Sequence, residues 1–362
     1  TAAEEYVALT LTSARSHIQG GLDLLADAAM NPAFPEKEIE RERKNILGEL
    51  SQEKADAWST ANRVVTMVVN GEKSPFGYTS LGTGESVTAM KQADLREYWA
   101  RHIVPENSAL IVSGDLKQSE LTAMLSKTLG AWKSSSSKAA DASPSMPVSN
   151  SSRLVIVDMP GASQTELRFS LSGPPRSTPD YESLQVMNAI FGGLFSSRIN
   201  LNLREKNGYT YGARSSFTYL RNFGWFTASS GVRTDVTGPA AREVLSEVRK
   251  IDESSVSDEE MKLARELLVG ALPARFQTTE QTVNALTDVV NYDLGLDFYS
   301  NYARKVTGVT KDQVEAIARK YLIPEKVLVV AVGDRKKIEP GMSALGLGKI
   351  QLRDAEGKVI QN

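Results

Sequence analysis

Cysteine is absent from the sequence. Disulfides, thiolate metal sites and a cysteine nucleophile are excluded together, while an exported and a cytosolic chain both stay compatible. Histidine is nearly absent: His17 and His102 stand isolated, and neither H-x-x-E-H nor H-E-x-x-H occurs. No run of about 18 apolar residues is present, so no membrane span is expected. Charge of one sign is lacking too. The 42 basic and 44 acidic residues leave a net charge of −2, which predicts no general attraction to nucleic acid or anionic membrane. The opening residues, Thr1-Ala2-Ala3-Glu4-Glu5, show neither an initiator methionine nor a basic-then-apolar signal pattern. The expectation is that the true amino terminus is missing here.

Apolar residues make up 41% and charged residues 24%, the balance of a globular protein. At 362 residues the chain is too long for one ordinary core, and the length points to two domains. The clearest composition shift is the Ser-, Ala- and Pro-rich run from Lys133 to Ser152, which reads as a flexible linker. The expected division is residues 1–133, a linker at 134–152, and residues 153–362.

Before the linker, periodicity predicts helices over Ile18–Ala29, Glu36–Lys54 and Gln92–His102, and a strand at Ala109–Ser113. After it come strands at Leu154–Asp158 and Thr165–Leu171, a helix at Tyr181–Phe191, and a polar helix near Arg198–Glu205. Strands at Tyr211–Tyr219 and Gly224–Gly231 follow, then helices near Gly238–Ile251, Asp258–Pro273, Glu280–Leu294 and Lys311–Tyr321, and a strand at Val327–Val332.

The two halves match. An offset of 219 positions lays Val87-Thr88 on Val306-Thr307, Pro105-Glu106 on Pro324-Glu325, and Gly114-Asp115 on Gly333-Asp334. Between these anchors Leu95 falls on Val314, Tyr98 on Ile317, Ile103 on Leu322 and Leu110 on Val329. A one-residue slip destroys the agreement, so this is an internal duplication. The first half lacks counterparts of the opening strands and helix of the second.

Glu42 and Glu49 are seven apart on the second predicted helix, which puts them on one face, roughly 10 Å apart along the axis. Such a helix can simply be solvated and laced with ion pairs. The duplication offers a control: laying Phe34–Glu38 on Val256–Glu260 puts Ala264 opposite Glu42 and Ala271 opposite Glu49. The architecture accepts alanine at both places, which favours chemistry for the carboxylates, as metal ligands or in acid–base work. Zinc asks for imidazole partners as well, and both histidines read as packing or surface residues.

A second segment, Ser196–Gly212, breaks from helix to strand at Asn207-Gly208 and carries Arg204 and Tyr211. A guanidinium and a phenol brought together can donate hydrogen bonds to a carbonyl or an oxyanion. The alternative is an ordinary helix–turn–strand junction with a packed tyrosine.

Together these segments, sharpest in Glu38–Arg43 with Glu49 and in Leu203–Gly212, resemble the pitrilysin/insulinase-type zinc peptidases, the inverzincins, in their mitochondrial-processing-peptidase-like bacterial branch. The resemblance spans nearly the entire chain. It implies an α+β fold of two homologous domains, each a mainly antiparallel sheet with helices packed on one face, the first domain truncated. It implies a zinc-dependent endopeptidase acting on peptides or unfolded segments inside a clam-shell of two units, with Zn2+ as cofactor and a homodimer or heterodimer as the assembly. Glu49 takes the role of a zinc ligand, Glu42 that of support for the histidine ligands, and Arg204 and Tyr211 that of substrate grip. Peptides in this family add as an extra strand to a sheet edge.

The H-x-x-E-H segment is missing from the chain. Three readings follow: a peptidase whose zinc-binding segment lies outside these residues, a non-catalytic partner subunit supplying Arg204 and Tyr211, or a purely structural relative. The retained Glu42 and Glu49 put the first ahead, with this chain alone inactive. The bacterial periplasm is set ahead of the cytoplasm.

Overall fold

The computed structural model describes residues 1–133, 153–253 and 255–360; the Ser-rich linker predicted at 134–152 lies outside them. In chain order the elements are α1 (Ile18–Met30), α2 (Glu36–Ala55), α3 (Ala57–Asn70), α4 (Gly84–Ala89), α5 (Gln92–His102) and α6 (Gln118–Thr128). Then come β1 (Leu154–Asp158), β2 (Gln164–Gly173), α7 (Tyr181–Asn188), α8 (Arg198–Asn200), β3 (Thr210–Tyr219) and β4 (Gly224–Arg233). The chain continues through α9 (Thr237–Glu253), α10 (Asp258–Gly270), α11 (Thr279–Asn291), α12 (Phe298–Gly308), α13 (Lys311–Tyr321), β5 (Leu328–Gly333), α14 (Arg335–Ser343) and β6 (Ile350–Arg353).

These elements form two compact units. The first holds Thr1–Leu50, residues 80–133 and Ala274–Asp293; the second holds Ser51–Thr79, residues 153–273 and residues 294–360.

The second unit is built on a six-stranded mixed sheet of order β3-β4-β2-β5-β1-β6. Its β2–β4, β3–β4 and β2–β5 pairs are antiparallel, and β1 pairs in parallel with β5 and β6. The period-2 alternation of these strands sorts side chains to two faces. Leu154, Ile156, Leu167, Phe169, Phe226, Ala228, Val329 and Ala331 face the main core, with Leu184, Met187, Phe191, Val244 and Val314 from the helices.

The opposite face is not bare. Val155, Val157, Val330 and Val332 pack there against Ala61, Val64, Val65 and Val68 of α3. That i, i+3, i+4, i+7 spacing makes one apolar stripe, and tertiary packing overrides the low helix propensity of valine. Asp56 caps α3 by accepting from the Ser59 N–H at 2.7 Å, and Gly71, at φ +85°, ends it. Predicted helix packing on a single face is thus extended by α3 on the second.

In the first unit Phe34 and Trp99 meet edge to face at 5.7 Å, and the Trp99 indole N–H donates to the Ala29 carbonyl at 2.8 Å. Arg43 closes the end of α4 by donating to the Val87 and Met90 carbonyls, which a helix C-terminus leaves unpaired. The strand expected at Ala109–Ser113 is not formed: the segment has no strand pairing among the described residues. Its duplicate, β5, lies inside the sheet with Val329 wholly buried, whereas Leu110 is 44% exposed. A strand needs a partner for its backbone groups, and the described residues of this unit supply none. The duplication itself is plain in α5 and α13, which are followed by matching 3-10 turns at Pro105–Asn107 and Pro324–Lys326.

In the second unit, Lys54 donates to Glu356, which also pairs with Lys358 at 3.0 Å. The Lys54 hydrogen bond, then that of Lys358, outweighs burial and holds the Glu356 carboxyl at about 2. A carboxyl depressed in the fold contributes stability above its unfolded value of about 4.3 and loses it as pH falls toward 2. Both side chains are more than a third exposed, so solvent limits the contribution to under about 1 kcal/mol. Lys54→Met is expected to melt slightly lower than the parent at pH 7 and low salt, with the gap closing by pH 2. A gap independent of pH in thermal melts rules the linkage out.

Candidate functional site

The helix–turn–strand segment of the second unit folds much as its sequence predicts. After α8 the chain continues as a π-helical turn, Leu201–Lys206, and breaks at Asn207-Gly208, where Gly208 adopts φ +62°. Asparagines pin it. Asn202 donates to Glu243 at 2.9 Å and to Glu247 at 2.7 Å, Asn207 donates to the Asn202 side chain at 2.7 Å, and Asn200 donates to the Phe195 carbonyl at 2.6 Å. Leu203 is buried in the core between them.

This frame presents Arg204 outward. Its guanidinium carbon lies 4.6 Å from the Phe195 ring centre and its Nε faces Glu205 at 3.3 Å. Stacking on an aromatic face leaves the outer N–H groups directed away from the ring. Tyr211 sits at an irregularity of the β3–β4 pairing, between Thr210 and Ala213. The bulge turns it out of the sheet: it is 89% exposed.

Arg204 and Tyr211 line one pocket of about 400 Å³. Glu166, Arg168, Arg214 and Ser229 form its polar floor, and Trp58, Phe195 and Tyr211 give it an aromatic rim. Pairing across the sheet sets Arg214 beside Ser229 and Ser229 beside Arg168, in one row on one face. Arg168 is buried and donates to Glu166 at 2.8 Å, to Asn62 at 2.8 Å and to the Trp58 carbonyl. Burial draws its pKa below the usual arginine value, opposed by the Glu166 hydrogen bond and charge and assisted by the charge of Arg214. Gly231 makes room for Glu166, since a Cβ there would stand 2.4 Å from Oε1.

Of the residues lining this pocket, sequence reasoning named Arg204 and Tyr211 and did not name Trp58, Glu166, Arg168 and Arg214. The signal was alternation: Arg168 lies between Leu167 and Phe169, and Arg214 between Ala213 and Ser215, so each faces away from the main core. The outer edge of β3 is also engaged. Asn200 accepts from the Ala213 N–H at 2.9 Å, and Asn188 donates to the Ser215 carbonyl at 3.2 Å. At these two positions an added strand finds its pairing groups taken.

Glu42 and Glu49 lie exposed on α2. Glu42 pairs with Arg41 at 2.6 Å and accepts from Asn45 at 3.3 Å. His17, exposed, precedes α1, and the ring of His102 lies 4.5 Å from that of Tyr98. No group of three or more His, Asp or Glu side chains able to hold a metal ion occurs among the described residues. Zinc wants three such ligands, so the described residues do not by themselves fit it. Nor is any helix among them long and apolar enough to cross a membrane.

A mixed, mainly antiparallel sheet flanked by helices, an internal duplication and a polar pocket define a two-domain α+β protein. Residues 1–73 match the family described as insulinase (peptidase family M16), and residues 89–268 match the peptidase M16 inactive domain. The chain belongs to the pitrilysin/insulinase (M16) zinc-peptidase family. An uncharacterized zinc protease of Mycobacterium leprae is 24% identical over 85% of this chain and 69% of its own length. A non-peptidase homolog of Helicobacter pylori is 21% identical, over 92% and 76%. Among solved structures, the peptidase M16 inactive domain from Pseudomonas fluorescens superposes with a TM-score of 0.79 at 23% identity, covering 88% of this chain and 76% of that one.

Proposed function

We propose that this chain holds peptide segments in the Arg204–Tyr211 pocket, as the substrate-binding part of a zinc endopeptidase of its family. The observation that carries the reading is that both side chains line one pocket, together with the polar residues of the sheet. The Tyr211 phenol has no hydrogen-bond partner among the described residues and is free to donate to a substrate carbonyl. The Arg204 guanidinium, braced by Phe195, offers parallel N–H donors to the same backbone. Trp58 and Phe195 supply apolar surface for substrate side chains, which suits extended or unfolded segments. Hydrolysis belongs to the assembled enzyme, a pair of family units closed around the substrate. Glu49 and Glu42 take up their metal-related roles only in an assembly that brings imidazoles to them.

A second reading, a non-catalytic partner subunit, is favoured by the absence of a metal-holding group among the described residues and by the non-peptidase relative. Both readings require peptide binding. Fluorescence anisotropy with a labelled unfolded peptide is expected to show affinity falling about 10- to 100-fold in Arg204→Ala, the loss of charge-assisted hydrogen bonds, and several-fold in Tyr211→Phe. Unchanged affinity in both variants removes the assignment. Zinc-dependent turnover when these residues carry an H-x-x-E-H segment of their own selects the first reading; turnover only after mixing with a separate zinc-bearing family subunit selects the second.

A further inference from the structure

Three guanidinium groups line the pocket, from Arg168, Arg204 and Arg214, against one carboxylate, Glu166. Their partners differ. Arg168 is held by Glu166 at 2.8 Å, and Arg204 faces Glu205 at 3.3 Å. Arg214 is exposed and makes no hydrogen bond or ion pair among the described residues. Its position is set by the strand: Ala213 and Ser215 are buried toward the helices, so Arg214 rises from the opposite face, in register with Ser229 and Arg168. Glu166 pairs with Arg168 and forms no ion pair with Arg214 among the described residues.

A cationic group lining a concave site is complemented by an anion from the ligand. Guanidinium matches carboxylate in shape as well as charge, through two parallel N–H···O bonds. Resting on the reading that the pocket holds peptides, we propose that Arg214 is a specificity residue that selects peptides bearing a carboxylate, from an acidic side chain or a free carboxyl terminus. Arg204 and Tyr211 grip the peptide backbone, which every sequence shares, and Arg214 reads the charge.

Direct binding tests this without turnover. Three labelled peptides of one neutral parent sequence serve as probes: blocked at both ends, blocked with one internal glutamate, and with a free C-terminal carboxylate. The 362-residue chain is expected to bind at least one carboxylate peptide about 10-fold more tightly than the neutral one, with the preference shrinking in high salt. The peptide preferred identifies the source of the carboxylate. Arg214→Gln is expected to abolish the preference while the neutral peptide still binds, and Arg214→Lys to restore part of it. Equal binding of all three peptides, or a preference that survives Arg214→Gln, overturns the proposal and leaves the peptide-holding reading standing. Failure to bind any peptide removes both.

Discussion

Glu166→Ala is expected to lower the unfolding free energy of the sheet-bearing unit by about 3–5 kcal/mol, the cost of leaving a buried charge without its partner. Arg168 is 1% exposed on β2, a strand inside the sheet. Asn62, the Leu167 carbonyl and the Trp58 carbonyl still accept its hydrogen bonds in the variant, but none carries a negative charge. The double variant Glu166→Ala/Arg168→Met removes both charges and keeps apolar volume against α3, and it is expected to recover most of the loss. Urea unfolding of the parent, both single variants and the double variant completes the cycle. A single-variant cost below about 1 kcal/mol, or a double variant no better than Glu166→Ala, shows that water reaches Arg168 through the pocket and that the pair is not a structural anchor.

The second large effect is expected at Phe191. Its ring is fully buried and meets Phe226 edge to face at 5.6 Å, so Phe191→Ala should cost about 3–5 kcal/mol through lost contacts and a residual cavity. The consequence reaches the pocket. Phe191 lies in the π-helical turn Ala189–Gly193, whose last two glycines line the site. Gly192 packs so closely on β3 that a Cβ would stand 2.7 Å from the Ser215 nitrogen. Loosening Phe191 therefore displaces the pocket wall as well as the core. Phe191→Leu, which keeps most of the volume, should cost far less and retain peptide affinity. If Phe191→Ala unfolds at the parent's urea midpoint, the ring is not the anchor of this turn.

Local chemistry made most helices readable. α13 begins at a capping box, with Thr310 accepting from Gln313 and the Gln313 side chain accepting from the Thr310 N–H, and it spans the predicted Lys311–Tyr321. The Asn207-Gly208 break was equally legible, because the turn there needs a positive φ that glycine supplies freely. Helix α3 was missed although its signals are local. Asp56 and the Ala61, Val64, Val65, Val68 stripe were present, but in a valine-rich segment the period competes with β propensity.

The sequence by itself determined the duplication, the family, the boundaries of most helices, and the helix–strand break between Arg204 and Tyr211. Each of these is written in residues close in the chain or in a fixed offset between halves. Tertiary structure decided which strand-like segments find partners, leaving Ala109–Ser113 unpaired among the described residues while its duplicate became a buried strand. It also decided that α3 covers the second face of the sheet, and that Glu166, Arg168 and Arg214 line one pocket with Arg204 and Tyr211. The physical reason is common to all three: backbone pairing and charge burial depend on groups brought together from distant parts of the chain, and no local pattern specifies which distant group arrives.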